Sequence, residues 1–193
     1  MRECLIGLCV VFPDCAILSN ILSSNHHLLN DLDKFDVAIL AHLQADARLT
    51  NAELAQRVGL SPAPCWRRVR ALEKAGYIRG YHADIDRHKI GLGVLAFVRL
   101  DAAQTAGALT REMEQAIRLL PEVVTCHYIS GTGTFELQVV AKDLDSFALF
   151  ARHTLLNLPN VKDMQTSFSL GEIKSSHALP LAHLGPMAGQ PPS

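Results

Sequence analysis

The sequence predicts an α+β chain in two parts: three short helices with a β-prone segment behind them, then a βαββαβ unit. Three observations predict it. Residues 32–76 carry a 3.6-residue apolar rhythm punctuated by helix start and stop signals. From about residue 92 the rhythm changes to four apolar or alternating runs separated by two helical segments. Charge is also unevenly placed along the 193 residues, which total 18 Lys and Arg against 19 Asp and Glu for a net of −1. Residues 48–89 hold 9 basic and 4 acidic side chains, residues 1–47 hold 2 and 6, and residues 90–193 hold 7 and 9. A near-neutral total therefore hides a basic island between two acidic flanks.

The division expected is an extension at 1–31, a winged helix–turn–helix at 32–88, the βαββαβ domain at 92–175 and a tail at 176–193. The apolar share of 49% is enough for each part to bury a core and excludes disorder throughout. In the extension, Leu5 to Phe12 is apolar but too short to span a bilayer. Glu3 cancels Arg2 and no small-x-small pattern follows, which argues against a signal peptide. The expectation is a loosely ordered extension or a misplaced translation start, with nothing before about Leu28 needed for folding. The five cysteines (Cys4, Cys9, Cys15, Cys65 and Cys126) are odd in number and irregular in spacing, so neither a disulfide framework nor a structural zinc site is expected. The chain reads as cytoplasmic.

The first helix lies within Leu32–Ala45, with Asp33 as N-cap, Asp36 three residues on, and Leu32 and Val37 at the spacing of a hydrophobic staple. Thr50-Asn51-Ala52-Glu53 is a capping box that opens a second helix running to about Val58 and stopped by Gly59. Ser61 caps the third helix, Pro62 takes its first position, Pro64 falls in its first turn, and Gly76 ends it. Two helices joined across Gly59-Leu60-Ser61 make a helix–turn–helix. Tyr77 to Ile85 then offers two short β-prone runs around Gly80, the pattern of a wing.

On a helical wheel, Cys65, Val69 and Leu72 form the buried stripe of the third helix, and Ala63, Arg67, Arg70 and Lys74 stand opposite, with Arg68 on the flank. Trp66 borders the core and is expected to pack against the first helix or the wing. A capped helix with three cations on its free face suits the major groove, where Arg can bond two acceptors of guanine. The residues assigned to DNA are Ser61, Ala63, Arg67, Arg68, Arg70, Lys74 and Arg79; among the cations, Arg68, Arg79, Arg87 and Lys89 are expected on phosphates.

In the second part, Val94–Leu100 reads as a strand and Ala108–Leu120 as a helix closed by Pro121. Val123–Ile129 and Phe135–Ala141 read as strands around the turn Gly131-Thr132-Gly133. Asp143 caps a helix to about Leu158, and Val161–Leu170 alternates as a fourth strand after Pro159-Asn160. This order is the ferredoxin-like split pattern. The tail from about Ala178 is rich in Pro, Gly and Ala and is expected to be disordered.

The stretch Leu32–Ile85 resembles the winged helix–turn–helix domain of the leucine-responsive regulator/AsnC (Lrp/AsnC) family. The resemblance rests on Arg48-Leu49-Thr50-Asn51-Ala52-Glu53-Leu54-Ala55, Val58-Gly59-Leu60-Ser61-Pro62-Ala63-Pro64-Cys65 and Arg68-Val69-Arg70-Ala71-Leu72-Glu73. The βαββαβ part is similar to that family's regulatory (RAM) domain, best at Glu122–Gly131 and Thr154–Lys174. The resemblance implies a transcription regulator of amino-acid-related metabolism that binds double-stranded DNA. It implies a homodimer paired through the βαββαβ domain and assembling to an octamer, and a small effector, an amino acid, bound between dimers. The effector positions it maps here are Tyr128, Thr132, Gly133, Thr134, Leu156, Ser167, Phe168 and Ser169. The family's turn after the second strand usually reads glycine, acid, aromatic, acid; here Gly131-Thr132-Gly133-Thr134 has threonine at both acid positions. Glu136 is the compensating acid for an α-ammonium group, sharing a strand face with Thr134 and Gln138.

No enzymatic chemistry is expected. There is no phosphate loop, nucleophile elbow or dinucleotide fingerprint. No cofactor or metal is assigned, because the nine histidines keep no ligand spacing with acids or cysteines, and Cys126 and His127 point to opposite faces of a strand. The alternative is a metabolic sensor or enzyme on the βαββαβ domain with the helices used only for assembly. Exposed Arg67, Arg70 and Lys74 argue against it, since a docking helix favours apolar residues there.

Overall fold

The structure is a computed structural model that describes residues 32–104, 107–129 and 135–184. The expectations for the extension 1–31 and for the turn at Thr132, Gly133 and Thr134 lie outside those residues. The chain divides into two compact units, residues 1–82 with 176–193 and residues 83–175.

In the first unit α1 spans Lys34–Ala45, α2 Asn51–Val58 and α3 Pro62–Lys74. Each begins where its local chemistry dictates. The Asp33 carboxylate accepts the backbone N–H of Phe35 and Asp36, and the Asp36 carboxylate accepts the N–H of Asp33, a reciprocal box. Thr50 and Glu53 repeat the arrangement at α2. Gly59 sits at φ +76° and Gly76 at φ +80°, left-handed positions that only glycine takes without cost. At Gly59 the N–H of Leu60 reaches Ala55 O, and at Gly76 the N–H of Tyr77 reaches Leu72 O, so both helices close with the six-to-one bond of a glycine cap. Ala38, Ile39, Leu54, Ala55, Val58, Cys65 and Leu72 form the buried core between the three helices.

Three expectations for this unit are corrected. Ser61 occupies the N-cap position but its side chain makes no capping bond. A capping hydroxyl usually takes the N–H of the second or third helical residue, and the third here is Pro64, which has none. The β-prone runs around Gly80 form no strands. Two runs of a few residues with no third strand beside them make a marginal hairpin, and the segment is held instead by Tyr81, whose hydroxyl donates to Glu73 Oε1 at 3.1 Å. The start of the tail is ordered: the N–H of Leu179 donates to Gln44 Oε1 at 2.7 Å, Gln44 Nε2 donates back to Leu179 O at 3.3 Å, and Ala182–Leu184 form a 3₁₀ turn. A side-chain amide that satisfies both backbone groups of one residue can dock a segment too poor in apolar residues to build its own core.

In the second unit β1 spans Val94–Ala102, α4 Ala108–Arg118, β2 Val123–Tyr128, β3 Phe135–Ala141, α5 Leu144–His153 and β4 Val161–Phe168, with a 3₁₀ turn at Leu155–Asn157. The sheet order is β2-β3-β1-β4 and every pairing is antiparallel. Strand alternation sorts the two faces. Ala96, Val98, Leu100, Phe135, Leu137, Val139 and Ala141 point into the core with Met113 and Ile117 of α4 and Phe147 and Ala151 of α5. The other face carries Leu95, Phe97, Arg99, Asp101, Glu136, Gln138 and Val140, all half-buried, and no described element of this unit covers it. On that face Asp101 Oδ1 and Thr125 Oγ1 are shut from solvent without a hydrogen-bond partner. Cys126 lies opposite Leu137 and His127 opposite Glu136, so the two do face opposite ways.

Candidate nucleic-acid interface and effector site

The turn that starts α3 also aims its outer face. Asn51 Nδ2, at the start of α2, donates to Pro62 O at 2.8 Å and ties the first turn of α3 to α2. Cys65 and Leu72 are buried and Val69 half-buried, which leaves Ser61, Ala63, Arg67, Arg70 and Lys74 exposed along one side, with Arg79 exposed beyond the helix end. Since Ser61 has no capping bond, its hydroxyl is uncommitted, and Ala63 carries the one N–H among the first three helical residues.

The cations are not equivalent. Arg67 and Lys74 make no ion pair among the described residues. Arg68, expected on a phosphate, instead crosses to α1. Its Nη2 meets Asp33 Oδ2 at 2.8 Å, its Nη1 meets Asp36 Oδ1 at 2.9 Å, and its guanidinium lies 5.5 Å over the Phe35 ring. The bond that Arg68 donates to Asp36, opposed by burial and joined by the charges of both acids, pushes the Arg68 pKa up. Burial alone would raise the Asp33 pKa, but the N–H groups of Asp36 and Phe35 and the charge of Arg68 hold it below the usual value. Arg87, in the second unit, likewise spends its Nη1 on the carbonyls of Leu92 and Gly93 at 3.1 and 3.0 Å, and Lys89 stands 3.9 Å from Asp86.

Arg70 donates from Nη1 to Glu73 Oε2 at 3.0 Å and lies 5.7 Å over the Trp66 ring. Trp66 is 53% exposed. It lines a shallow pocket of about 250 Å³ with Leu43, Ala47 and Leu49 from the end of α1 and its turn, and with Tyr81 beyond α3. Trp66 is expected from the sequence to pack against the first helix or the wing; the ring instead stands half in solvent, faces residues of both across the pocket, and has Arg70 of its own helix over it. Sequence reasoning missed Glu73 and Tyr81. The i, i+3 spacing of Arg70 and Glu73 was readable; the reach of Tyr81 back onto the helix had no sequence signal.

The described effector positions do not converge within one copy. Tyr128 ends β2, its ring edge-on to Phe135 at 5.3 Å, and Phe168 ends β4, edge-on to Phe147 at 5.1 Å. Tyr128 pairs with Phe135, Phe135 with Leu100, and Leu100 with Met164, four residues before Phe168. The two rings thus sit at opposite corners of the sheet, roughly 20 Å apart by strand spacing and rise. Ser167 lies opposite Phe97 on the uncovered face, Ser169 N donates to Leu95 O, and Leu156 is exposed in the 3₁₀ turn after α5. Glu136, the candidate acid for an ammonium group, faces Arg99 across the ladder with Arg99 Nε 3.4 Å from its Oε2. Among the described residues no group of His, Cys, Asp or Glu could hold a metal, and no helix is long and apolar enough to cross a membrane.

A helix–turn–helix with a cationic free face, followed by a separate unit built on an antiparallel βαββαβ sheet, is the build of a DNA-binding protein with a second domain. Comparison with known proteins agrees. A family model described as winged helix-turn-helix DNA-binding matches residues 32–79, and one described as Lrp/AsnC ligand binding domain matches residues 95–179. The leucine-responsive regulatory proteins of Escherichia coli K12 and Klebsiella pneumoniae are each 38% identical over 149 residues, 77% of this chain and 91% of theirs. A transcriptional regulator from Neisseria meningitidis solved with L-Met is 42% identical, with a TM-score of 0.75 over 79% of this chain and 99% of its own. An AsnC family regulator from Agrobacterium tumefaciens is 32% identical, with a TM-score of 0.74 over 79% and 99%. The chain belongs to the Lrp/AsnC family of DNA-binding transcription regulators.

Proposed function

We propose that this chain reads DNA as a homodimer through paired α3 helices, with Arg67, Arg70 and Lys74 in successive major grooves, and that an amino acid bound between copies modulates the assembly. The carrying observation is the outer face of α3: three cations, an uncommitted Ser61 hydroxyl and a small Ala63 lie exposed along a helix whose other side is fixed in a core. Ser61, Ala63 and Arg79 flank this face, and Arg68 is assigned to structure rather than to phosphate. Two observations support a second copy on the sheet: an uncovered face with half-buried Leu95, Phe97 and Val140, and two polar atoms on it without partners. Half-sites one helical turn of DNA apart, about 34 Å, are expected for such a dimer. The fit to an amino-acid ligand draws on the L-Met complex of the Neisseria relative.

A mobility shift on the DNA upstream of its own gene, repeated at rising salt, tests the DNA reading. Specific binding should weaken steeply with salt. Arg67→Ala should weaken it further and make the salt dependence shallower, by about 0.9 in log–log slope for each phosphate no longer neutralised. Binding no tighter than to random DNA would refute it. A thermal-shift screen of amino acids, L-Met among them, tests the effector, since a ligand of the native state raises the melting point.

A further inference from the structure

We propose that Glu73 is a specificity-determining residue, which holds Arg70 as a reader of bases rather than an anchor for phosphate. This rests on the DNA reading above.

The geometry has three points. Glu73 Oε2 accepts Arg70 Nη1 at 3.0 Å, Glu73 Oε1 accepts the Tyr81 hydroxyl at 3.1 Å, and the Arg70 guanidinium lies 5.7 Å over Trp66. A lone i, i+3 pair on a helix surface is weak and leaves both side chains mobile. Here the carboxylate is fixed from outside its own helix, because Tyr81 lies beyond the glycine cap that ends α3. The exposures match that division: Glu73 is 28% exposed and Arg70 65%.

Two consequences follow for DNA. First, the guanidinium has five donors, and the bond to Glu73 uses one nitrogen. The remaining edge is presented in a fixed direction, the requirement for a two-point contact to the acceptors of guanine. Second, the paired carboxylate offsets the charge of Arg70. Attraction to any phosphate is a charge effect without sequence information, so Arg70 adds little to it beside the Glu73 carboxylate. Arg67 and Lys74 make no ion pair among the described residues and supply that general attraction. Glu73 therefore suppresses non-specific binding and supports specific binding through one side chain.

The test compares the full chain with Glu73→Gln, Glu73→Asp, Tyr81→Phe, Arg70→Ala and Glu73→Gln/Arg70→Ala. Each is titrated with the tightest-binding upstream duplex and with a random duplex of equal length, over a range of salt. Glu73→Gln should narrow the ratio of specific to random affinity about tenfold and steepen the salt slope on random DNA by about 0.9 per helix engaged. Tyr81→Phe should move both in the same direction by less, and Glu73→Asp should recover part of the ratio. In the Arg70→Ala background the Glu73 substitution should leave the ratio unchanged, because losing a bare carboxylate raises the affinity for both duplexes alike. A ratio within twofold of wild type, or a Glu73→Gln effect on the ratio that persists without Arg70, would overturn the proposal. Fluorescence of Trp66 in urea reports folding, and should Glu73→Gln unfold, Tyr81→Phe decides the question alone. Failure of the DNA reading itself shows differently, as a wild-type chain with no preference for the upstream duplex.

Discussion

Arg68→Ala separates a structural arginine from a DNA-binding one. The side chain of Asp36 is 13% exposed and that of Asp33 47%, with Arg68 at 33% between them. Removing the guanidinium leaves the enclosed Asp36 Oδ1 without its charged donor, a loss of about 2 kcal/mol for a hydrogen bond to a charged group. The exposed Asp33 partner adds at most about 0.5 kcal/mol because solvent screens it, and the stacking over Phe35 adds about another 0.5. The expected destabilisation of the helical unit is therefore about 3 kcal/mol. Trp66 is the only tryptophan in the chain and lies on α3, so its fluorescence in a urea titration follows this unit. The penalty should shrink when the acids are also removed: Arg68→Ala/Asp33→Asn/Asp36→Asn should be more stable than Arg68→Ala, since no charge is left unpaired. Below the unfolding range, the salt slope of DNA binding should match wild type. A stability change under about 0.5 kcal/mol together with a shallower salt slope would refute this reasoning and return Arg68 to the phosphates.

Stability should be flat above about pH 5 and fall as pH drops through about 4 and below. Backbone and side-chain bonds from Thr50 hold Glu53 low, the Ser146 bonds hold Asp143 low, and Asp33 is low against its burial, so each contributes stability above its unfolded pKa that is lost on protonation. A melting curve against pH that fell instead from pH 7 to 6 would refute this assignment to the three acids. Asn160 sits at φ +70° and holds the end of β1, accepting Gln104 N at 2.9 Å and donating to Gln104 O at 2.7 Å. Asn160→Ala should cost about 2 kcal/mol by urea titration, and Asn160→Gly should recover the backbone share but not the bonds. Gln44→Ala should cost about 1 kcal/mol or less and speed amide exchange at Leu179, which a tail undocked in solution would not show.

What was legible in the sequence was local. Asp33, Thr50, Gly59 and Gly76 act within one turn of themselves, so spacing alone placed the three helices and the buried stripe of Cys65 and Leu72. Strand alternation in the same way separated the core side of β3 from Glu136 and Gln138. Where a partner came from a distance, the reading failed. The helical wheel put Arg68 on a flank and could not see Asp33 and Asp36 on another helix. It could not see Gln44 meeting Leu179 at the far end of the chain, and composition alone made that tail look disordered. Ser61 failed for a subtler reason: the cap rule is local, but it presumes an N–H that Pro64 lacks.

The spread of the effector positions has a consequence of its own. Tyr128 and Phe168 stand at opposite corners of one sheet, Ser167 lies on its uncovered face, and Glu136 is already paired with Arg99. One copy cannot close a pocket around a molecule the size of an amino acid from these residues, since the corners are roughly 20 Å apart by strand geometry. Under the proposed function the ligand then binds where copies meet, and its affinity is tied to assembly by mass action. The stabilisation that an amino acid gives should therefore depend on protein concentration. In a thermal-shift series at fixed saturating ligand, the gain in melting temperature should shrink as the chain is diluted through its dissociation range, followed in parallel by sedimentation. At a ligand concentration a hundredfold above its dissociation constant, a preformed site in a single copy would give about 2.7 kcal/mol at every protein concentration. A gain that stayed constant while the assembly fell to single copies would place the pocket within one chain and rule out the mapped positions.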